Sequence, residues 1–364
     1  MPTIADPGPG VIWGGVDTHA DVHVAAAVSG TGKVLGTAAF PADPGGYARL
    51  LAWLAGHGEI ALAGVEGTGS YGAGLARYLR ERGITVAEVT RPDRQRRRRH
   101  GKSDPVDAVA AAMTALNGQD TAVPKTADGA AESIRALQAA RAGAVKARTQ
   151  AGNQLRDLAV TAPAGLREQL HGLRTPARVR AAAAFTPGDL ADPAEGTKAA
   201  MARIARRWQN LDAEVTGIDA QLRDLVTRAA PAGFLDLPGV GIQTAAALIT
   251  AAGDNPARIS SHASLAALAG TSPVDCSSGK NQHHRLNRGG DRQANAAIWR
   301  IVFTRIRTDP RTRAYLAKRT AEGKTRKEAI RALMRYVTRE VYKHLIRPAR
   351  SPAEETAPPI PSTP

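Results

Sequence analysis

"VIWGGVDTHADVHVAAAVSGTGKVLGTAAF", residues 11–40, decides the fold class of this chain. The stretch holds three apolar runs, 11–16, 22–28 and 34–40, and each run has the length of a β-strand. The last two runs are joined by SGTGK, whose glycines are typical of a hairpin turn. Residues 11–40 therefore predict three consecutive strands in a meander.

Helical and strand patterns alternate after this meander. An amphipathic stretch at 46–55 precedes the strand IALAGV, which ends at Val65. A helix is then expected near 72–82, a strand at 84–89 and another helix from about Ser103. A meander followed by alternating helices and strands predicts an α/β domain with a mixed sheet.

The strand patterns vanish beyond about residue 130, and a heptad follows. Its apolar residues alternate steps of four and three, as in a coiled-coil seam. They are Ile204, Trp208, Leu211, Val215, Ile218, Leu222 and Leu225. Such a seam can pair helices within one chain or between chains; we predict pairing between subunits, with an intramolecular hairpin as the alternative.

The glycine- and proline-rich motif LDLPGVGIQTAAALI, at 235–249, predicts a helix-hairpin-helix-like element whose backbone N–H groups can grip phosphates. An ordinary packing turn between two helices is the alternative for this motif.

Together, these patterns predict five segments along the chain. The segments are a flexible N-terminus at 1–10, the α/β domain at 11–125, a coiled-coil helical region at 126–230, a mostly helical C-terminal domain at 231–347 and a disordered tail at 348–364.

Charge indicates the class of partner. The chain has 49 Lys and Arg against 33 Asp and Glu, a net charge of +16, which favours a polyanion such as nucleic acid or an anionic membrane surface. No apolar run reaches the roughly 18 residues of a membrane-spanning helix, and the first ten residues lack a signal-peptide pattern. The single cysteine, Cys276, suits a reducing compartment. We expect a cytoplasmic, nucleoid-associated protein that binds nucleic acid.

Four acidic residues lie at the ends of the predicted elements. Asp17 follows the first strand, Glu66 ends the fourth, and Asp104 and Asp107 share one face of a helix. Carboxylates that converge repel one another unless cations neutralise them. Mg²⁺, or Mn²⁺ in its place, suits such oxygen ligands and promotes reactions at phosphorus. The four acids therefore predict a metal site.

Other residues nearby are alternatives for this site. Asp21 and Asp43 could replace a member of the acidic set, and His19 and His23 are further candidate ligands. Asp104, which precedes a proline, could instead be a helix N-cap.

Basic residues lie beside two of these acids and beside a pair of serines farther along the chain. "RQRRRRHGKSDPVDA", 94–108, sets a cationic run directly before two of the acids. We expect this run to attract the nucleic-acid backbone, although a solvated charged face is the alternative. Farther along, "SSGKNQHHRLNRGGDRQ", 277–293, sets paired serines among cations that could stabilise attack of a hydroxyl on a phosphate. Simple turn formation is the alternative for the serines. The candidate nucleic-acid-binding residues are Arg94, Arg96, Arg97, Arg98, Arg99, Lys102, Lys280, Arg285, Arg288 and Arg292.

Five stretches in order make the chain resemble the DEDD insertion-sequence transposases, also called bridge recombinases. They are GGVDTHADVHVAAAV, GVEGTGSYGAGLARYL, RQRRRRHGKSDPVDA, LPGVGIQTAAALI and SSGKNQHHRLNRGGDRQANAA. The resemblance covers residues 11 to 345. It implies a RuvC-like domain of the ribonuclease H superfamily with Mg²⁺ on the four acids. It also implies a C-terminal transposase domain with Ser278 as nucleophile, or Ser277 because the serine is doubled.

The resemblance also implies an activity and partners. The expected reaction is Mg²⁺-dependent cleavage, exchange and rejoining of DNA strands at element ends and target, through a serine–DNA intermediate. The expected partners are double-stranded DNA, a noncoding bridge RNA and further copies of the chain in a dimer or tetramer, with no membrane. Two alternatives remain: a RuvC-like junction-resolving nuclease that uses metal-activated water, and a nucleic-acid-binding module with a decayed active site.

Overall fold

The computed structural model describes residues 10–89, 103–118, 121–277 and 284–346. The chain divides into two compact units, one ending at Thr126 and the other beginning at Ala127. Within the described ranges, no helix combines the length and apolar character needed to cross a membrane.

A mixed sheet of six strands forms the centre of the first unit, in the order β3-β2-β1-β4-β5-β6. The first three strands form an antiparallel meander, β1, β4 and β5 run parallel, and β6 is antiparallel to β5. The strands are β1 Val11–Thr18, β2 Val22–Ser29, β3 Val34–Pro41, β4 Glu59–Glu66, β5 Val86–Val89 and β6 Thr121–Ala122. The predicted meander and mixed sheet are confirmed, and the architecture is consistent with a ribonuclease H-like domain.

Three helices cover the two faces of this sheet. They are α1 Pro44–Ala55, α2 Ala73–Glu81 and α3 Asp104–Asn117. Since side chains alternate along a strand, β2 sends Ala25 and Ala27 into the core beneath α1 and α2. Val24 and Ala26, on the other face of β2, pack against α3. Strands β1 and β2 are thus buried along nearly their whole length, which explains their nearly continuous apolar runs, whereas β3 is mostly exposed.

The second unit is mainly helical. Its elements are α4 Ala130–Thr161, α5 Ala164–Leu170, α6 Thr175–Ala183, α7 Pro193–Ala229, α8 Ile242–Ala252, a 3₁₀ turn Pro256–Arg258, α9 His262–Leu268, the hairpin strands β7 Pro273–Asp275 and β8 His284–Leu286, α10 Arg292–Thr308, α11 Pro310–Ala321, α12 Arg326–Val341 and a π-helical turn Tyr342–Ile346.

The two long helices, α4 and α7, pack against each other within the chain. Arg141 pairs with Asp219 at 2.6 Å, and Arg148 pairs with Asp212. The position on α7 falls as that on α4 rises, so the helices are antiparallel. Along the heptad, Val215, Ile218 and Leu222 are buried, while the other four members are partly buried. The predicted pairing between subunits is therefore wrong for this seam, because α4 supplies the partner surface within the same chain.

One core joins the long helices to the helices that follow them. Ile134 of α4 and Leu222 of α7 share it with Phe234, Leu248 of α8 and Ile298 of α10, all five at most 1% exposed. Residues on both sides of position 230 therefore belong to one packed body.

The segment before α8 differs from the expected helix-hairpin-helix-like element. Residues 232–239 form bends and turns, and the helix that precedes them ends at Ala229. Pro231 and Pro238 interrupt helical hydrogen bonding, and Gly239 has a φ of 80°, which favours glycine. Only the second helix of the expected element is present there.

Replacing Leu222 with aspartate should unfold the second unit rather than separate subunits. Leu222 is fully buried, so a carboxylate at this position loses apolar packing and its hydration. We expect the free energy of unfolding to fall by about 3–5 kcal/mol. Gln221→Asp, at an exposed position of the same helix, is the matched control and should change stability little. Chemical denaturation and light scattering measure both; a folded particle of halved mass would instead place the seam between subunits.

Candidate active site

Two buried acids lie at the carboxyl ends of neighbouring parallel strands. Val16 of β1 is in register with Val65 of β4, so Asp17 and Glu66 each follow one residue later. The side chain of Thr18 donates a hydrogen bond to the backbone oxygen of Glu66 at 2.8 Å. Asp17 is 6% exposed and Glu66 is 9% exposed. The carboxyl ends of parallel strands therefore present two desolvated carboxylates at one edge of the sheet.

Helix α3 brings the other two acids to the same region. Asp104 and Asp107 lie in its first turn, where the helix dipole favours negative charge. Ser103 occupies the N-cap position, so the alternative of Asp104 as the N-cap is wrong. Asp107 is buried, whereas the Asp104 side chain is half exposed.

A glycine in β1 sets how closely α3 approaches the sheet. A Cβ atom on Gly15 would lie 2.3 Å from the backbone oxygen of Ala108 and 2.1 Å from the nitrogen of Ala112. Both contacts are far inside van der Waals distance, so only glycine fits there without a shift of the helix. Alanines on the facing side of α3 complete this close packing. Small residues thus position the acids of α3 beside those of the strands.

Gly15→Ala should displace α3 and impair the acidic cluster. The added methyl group meets helix backbone, which cannot rotate away, and overpacking of this kind costs about 1–3 kcal/mol. Gly14→Ala is the matched control, because its Cβ would meet a Leu54 methyl group at 3.1 Å that can move. Thermal unfolding should show a lower melting temperature for Gly15→Ala only. Metal titration should likewise show a weaker affinity for Gly15→Ala only. Equal behaviour of the two variants would contradict the role assigned to this packing.

The charges of the cluster act on Asp17. Burial raises the pKa of Asp17 above its ordinary value, and the carboxylates of Glu66, Asp107 and Asp104 raise it further. His19 acts in the opposite direction and lowers the pKa of Asp17. The four carboxylates are therefore crowded, three of them are buried, and a bound cation would relieve their repulsion. Such a set of carboxylate oxygens fits Mg²⁺ or Mn²⁺.

His19 belongs to the same cluster. Its Nε2 lies 3.2 Å from Oδ2 of Asp17 and 3.6 Å from Oδ1 of Asp104. Asp17, His19 and Asp104 each place one ligand atom within 4.8 Å of the others. A neutral imidazole can coordinate a metal, and a protonated one offsets carboxylate charge. The sequence offered His19 as a further candidate ligand, and its position two residues after Asp17 was the available signal.

The remaining alternatives have other surroundings. Asp43 accepts a hydrogen bond from the backbone nitrogen of Gly46 at 2.7 Å and caps α1. Asp21 is exposed in the turn between β1 and β2. His23 is fully buried and stacks on Tyr47, with ring centroids 5.6 Å apart. Burial lowers the pKa of His23, so its neutral form is favoured. Asp43 and His23 thus have structural environments, and neither is in the group that surrounds Asp17.

The serine motif lies between the two strands of a short hairpin in the second unit. Strands β7 and β8 pair antiparallel, with Asp275 opposite His284. The hydroxyl of Ser277 donates to Oδ1 of Asp275 at 2.5 Å, and this bond lowers the pKa of the Asp275 carboxyl. Ser278 and Lys280 lie outside the described residues. A carboxylate and a histidine therefore flank the base of the serine loop, neighbours that spacing alone did not identify.

Tight backbone packing anchors the far side of this loop. A Cβ on Gly290 would lie 2.2 Å from the backbone nitrogen of Gly270. The amide of Asn295 donates to the backbone oxygen of Ala269 at 2.8 Å. The Gly-Gly turn and the start of α10 are thereby held against the end of α9.

The structure describes three of the basic residues that were predicted to bind nucleic acid. Arg285, Arg288 and Arg292 are exposed, as a contact with phosphate requires. Arg285 lines a cavity of about 550 Å³ together with other cations that sequence reasoning missed. These are Arg319, Lys324, Arg331 and Arg335, in the basic stretch 318–335. Lying outside the described residues are Arg94, Arg96, Arg97, Arg98, Arg99 and Lys102.

Two family models match the chain, one after the other. The model described as "Transposase", DEDD_Tnp_IS110, matches residues 14–162. The model described as "Transposase IS116/IS110/IS902 family" matches residues 233–317. The first match includes all four acids of the candidate metal site, and the second includes both serines and the β7–β8 hairpin.

Two curated proteins are similar to parts of the chain. A stretch of 137 residues, 37% of this chain, is 33% identical to the "Insertion element IS900 uncharacterized 42 kDa protein" of Mycobacterium paratuberculosis. A stretch of 100 residues, 27% of this chain, is 38% identical to the "Insertion element IS110 uncharacterized 43.6 kDa protein" of Streptomyces coelicolor. The matches span 34% and 24% of those two proteins. With both family models matched in order, this chain belongs to the IS110 family of DEDD transposases.

Proposed function

We propose that this protein is an insertion-sequence transposase that cleaves, exchanges and rejoins DNA strands. The observation that carries the proposal is the acidic cluster, in which the carboxylates of Glu66, Asp104 and Asp107 act on buried Asp17 in a chain of net charge +16. Crowded carboxylates suit a metal that acts on phosphate, and the excess of positive charge suits DNA. The finer domain division into a RuvC-like part at 11–125, a helical region at 126–230 and a C-terminal domain at 231–347 is part of this proposal.

The four acids would hold Mg²⁺, with Mn²⁺ as a substitute. When bound, the metal neutralises charge at phosphorus and favours deprotonation of a nearby hydroxyl. Asp17, Glu66 and Asp107 contribute buried oxygens that water does not screen, and Asp104 contributes one at the exposed rim. His19, in contact with Asp17 and Asp104, would orient their carboxylates.

A serine hydroxyl would supply the nucleophile. The oxygen of Ser278 attacks phosphorus and loses its proton, the bond from phosphorus to one sugar oxygen breaks, and that oxygen gains a proton. The resulting serine ester keeps the phosphodiester energy, so a second DNA hydroxyl can attack it and release the serine without a high-energy cofactor. Lys280 and Arg285 would offset charge on the phosphate. Ser277 is the alternative nucleophile.

The partners follow from the same proposal. Double-stranded DNA of the element ends and target would lie along the run of five arginines and Lys102 at 94–102, and along Arg288 and Arg292. A noncoding bridge RNA would select the two DNAs, and further copies of the chain would complete a dimer or tetramer. The protein would act at the nucleoid.

One second candidate has an observation in its favour. The acidic cluster is complete without any serine, so it also suits a junction-resolving nuclease that uses metal-activated water. Retention of all four acids argues against a decayed module that only binds nucleic acid.

Reconstitution of the reaction tests the proposal. Purified protein is incubated with DNA of the element ends and target in Mg²⁺, with and without RNA transcribed from the element. We expect joined products and a protein–DNA adduct in Mg²⁺, none in EDTA, and a requirement for the RNA. Cleavage without any adduct or joined product would instead support the water-using nuclease, and binding without cleavage would support the decayed module.

A further inference from the structure

Two aromatic side chains lie exposed and stacked on helix α10. The rings of Trp299 and Phe303 have centroids 5.1 Å apart and an interplanar angle of 12°. Trp299 is 45% exposed and Phe303 is 43% exposed. Large aromatic side chains are normally buried, so a stacked and exposed pair one helical turn apart is an unusual surface.

Cations surround this pair. Arg292, Arg300 and Arg307 are exposed on the same helix, at spacings of seven, one and four residues from the nearer ring. Within the described part of the chain, none of these three guanidinium groups forms an ion pair with a carboxylate. The solvent face of α10 is therefore an aromatic centre with positive charge at both ends.

A cavity adjoins the pair on one side. Arg300 and Phe303 line a space of about 530 Å³ together with Arg223 and the backbone around Gly239 and Gly241. Arg141 also lines it and is paired with Asp219 at 2.6 Å, which offsets the acid's charge. The cavity is large enough for a phosphate group and its sugar beside the rings.

We propose that this face of α10 binds an unpaired DNA strand, with bases stacked on Trp299 and Phe303 and phosphates on the surrounding arginines. Every base has a π-face, so such stacking is tolerant of sequence, and arginines that follow the backbone add affinity. A second copy of the chain is a poor occupant, because two-fold contact would set the unpaired arginines against their own equivalents. The choice of DNA over RNA as the single-stranded ligand rests on the proposed function, because strand exchange leaves a DNA strand without its complement. The rest of the inference does not depend on that function.

Fluorescence supplies a direct test. All four tryptophans lie in the described ranges, and Trp299 is the exposed one among them. The full chain, in EDTA so that cleavage cannot occur, is titrated with oligodeoxythymidylate, a duplex of equal length and oligouridylate. We expect quenching of tryptophan emission by the deoxy strand, with weaker quenching by the duplex. Trp299→Phe should lose most of the quenching yet keep most of the affinity measured by anisotropy.

Variants separate stacking from charge. Trp299→Ala and Phe303→Ala should each weaken binding of the single strand about tenfold and change duplex binding little. Arg300→Gln should reduce the log–log salt slope by about 0.7. Tyr336→Ala removes another exposed aromatic, 50% exposed and also beside an arginine, and should leave affinity unchanged. Unchanged melting temperatures of the variants confirm that the exposed truncations leave the core intact.

The following outcomes distinguish a failure of this binding surface from a failure of the proposed catalytic function. Asp17→Asn should bind and quench like the unaltered protein, so a failure of catalysis leaves this surface untouched. Unchanged single-strand affinity in the Trp299→Ala, Phe303→Ala double variant would overturn the proposed surface. Tighter binding of oligouridylate, with the same dependence on the rings, would overturn the choice of DNA.

Discussion

Asn in place of Asp17 should abolish strand cleavage while the protein stays folded. Asp17 is buried and lies at the centre of the acidic cluster. Its loss would remove several kcal/mol of charge stabilisation in the transition state, and 1.36 kcal/mol is tenfold in rate, so we expect a fall of about 10³-fold or more. Glu66→Gln, Asp104→Asn and Asp107→Asn should behave alike. Cleavage of element-end DNA in Mg²⁺ measures all four.

Thermal stability gives the same variants a second readout. Without metal, Asp17→Asn removes one member of a crowded set of carboxylates, so the melting temperature should rise by about 1–3 °C. Addition of Mg²⁺ should stabilise the unaltered protein and stabilise this variant less. Asp21→Asn, an exposed acid in the adjacent turn, is the matched control and should keep both cleavage and metal response. Wild-type cleavage by any of the four amide variants would remove that residue from the site.

Ser278→Ala should keep DNA and metal binding but lose recombination and any covalent protein–DNA adduct. A metal site alone would suffice for hydrolysis, whereas a serine ester would store the phosphodiester energy that rejoining uses in the proposed reaction. We expect loss of joined product below detection, which corresponds to a fall of at least about 10³-fold, since the nucleophile itself is absent. Peptide mapping of protein trapped on nicked DNA should locate the ester on Ser278.

The neighbouring serine is the natural comparison. The hydroxyl of Ser277 donates to Asp275, so Ser277→Ala should disturb the loop but leave the adduct in place. An adduct on Ser277 would move the nucleophile by one residue. Full recombination by the variant with both serines replaced would refute the serine mechanism and favour metal-activated water.

The sequence identified only one of the basic residues that line the cavity around Arg285 in the second unit. Arg285 was predicted to contact nucleic acid, and it lies in a cavity with Arg331 and Arg335 of α12. Those two are nearly fifty residues further along the chain, within an amphipathic helix whose charges look like an ordinary solvated face. No local pattern indicates which solvated face will line a cavity, because that depends on how helices pack.

The amino-acid sequence by itself determined the elements of the sheet and the positions of its acids. Apolar runs bounded by turns predicted β1 to β5, and the acids at the ends of β1 and β4 were visible because strand ends are local features. The i, i+3 spacing likewise placed Asp104 and Asp107 on one helix face.

Only the tertiary structure decided which surfaces meet. The heptad of α7 was compatible with a partner subunit, but α4 of the same chain covers it, and antiparallel pairs such as Arg141 with Asp219 set the register. The depth of α3 against Gly15 and the place of His19 between two acids also depend on packing. A periodic pattern encodes that a face will be buried, whereas its partner is chosen by the burial and close packing of the whole chain.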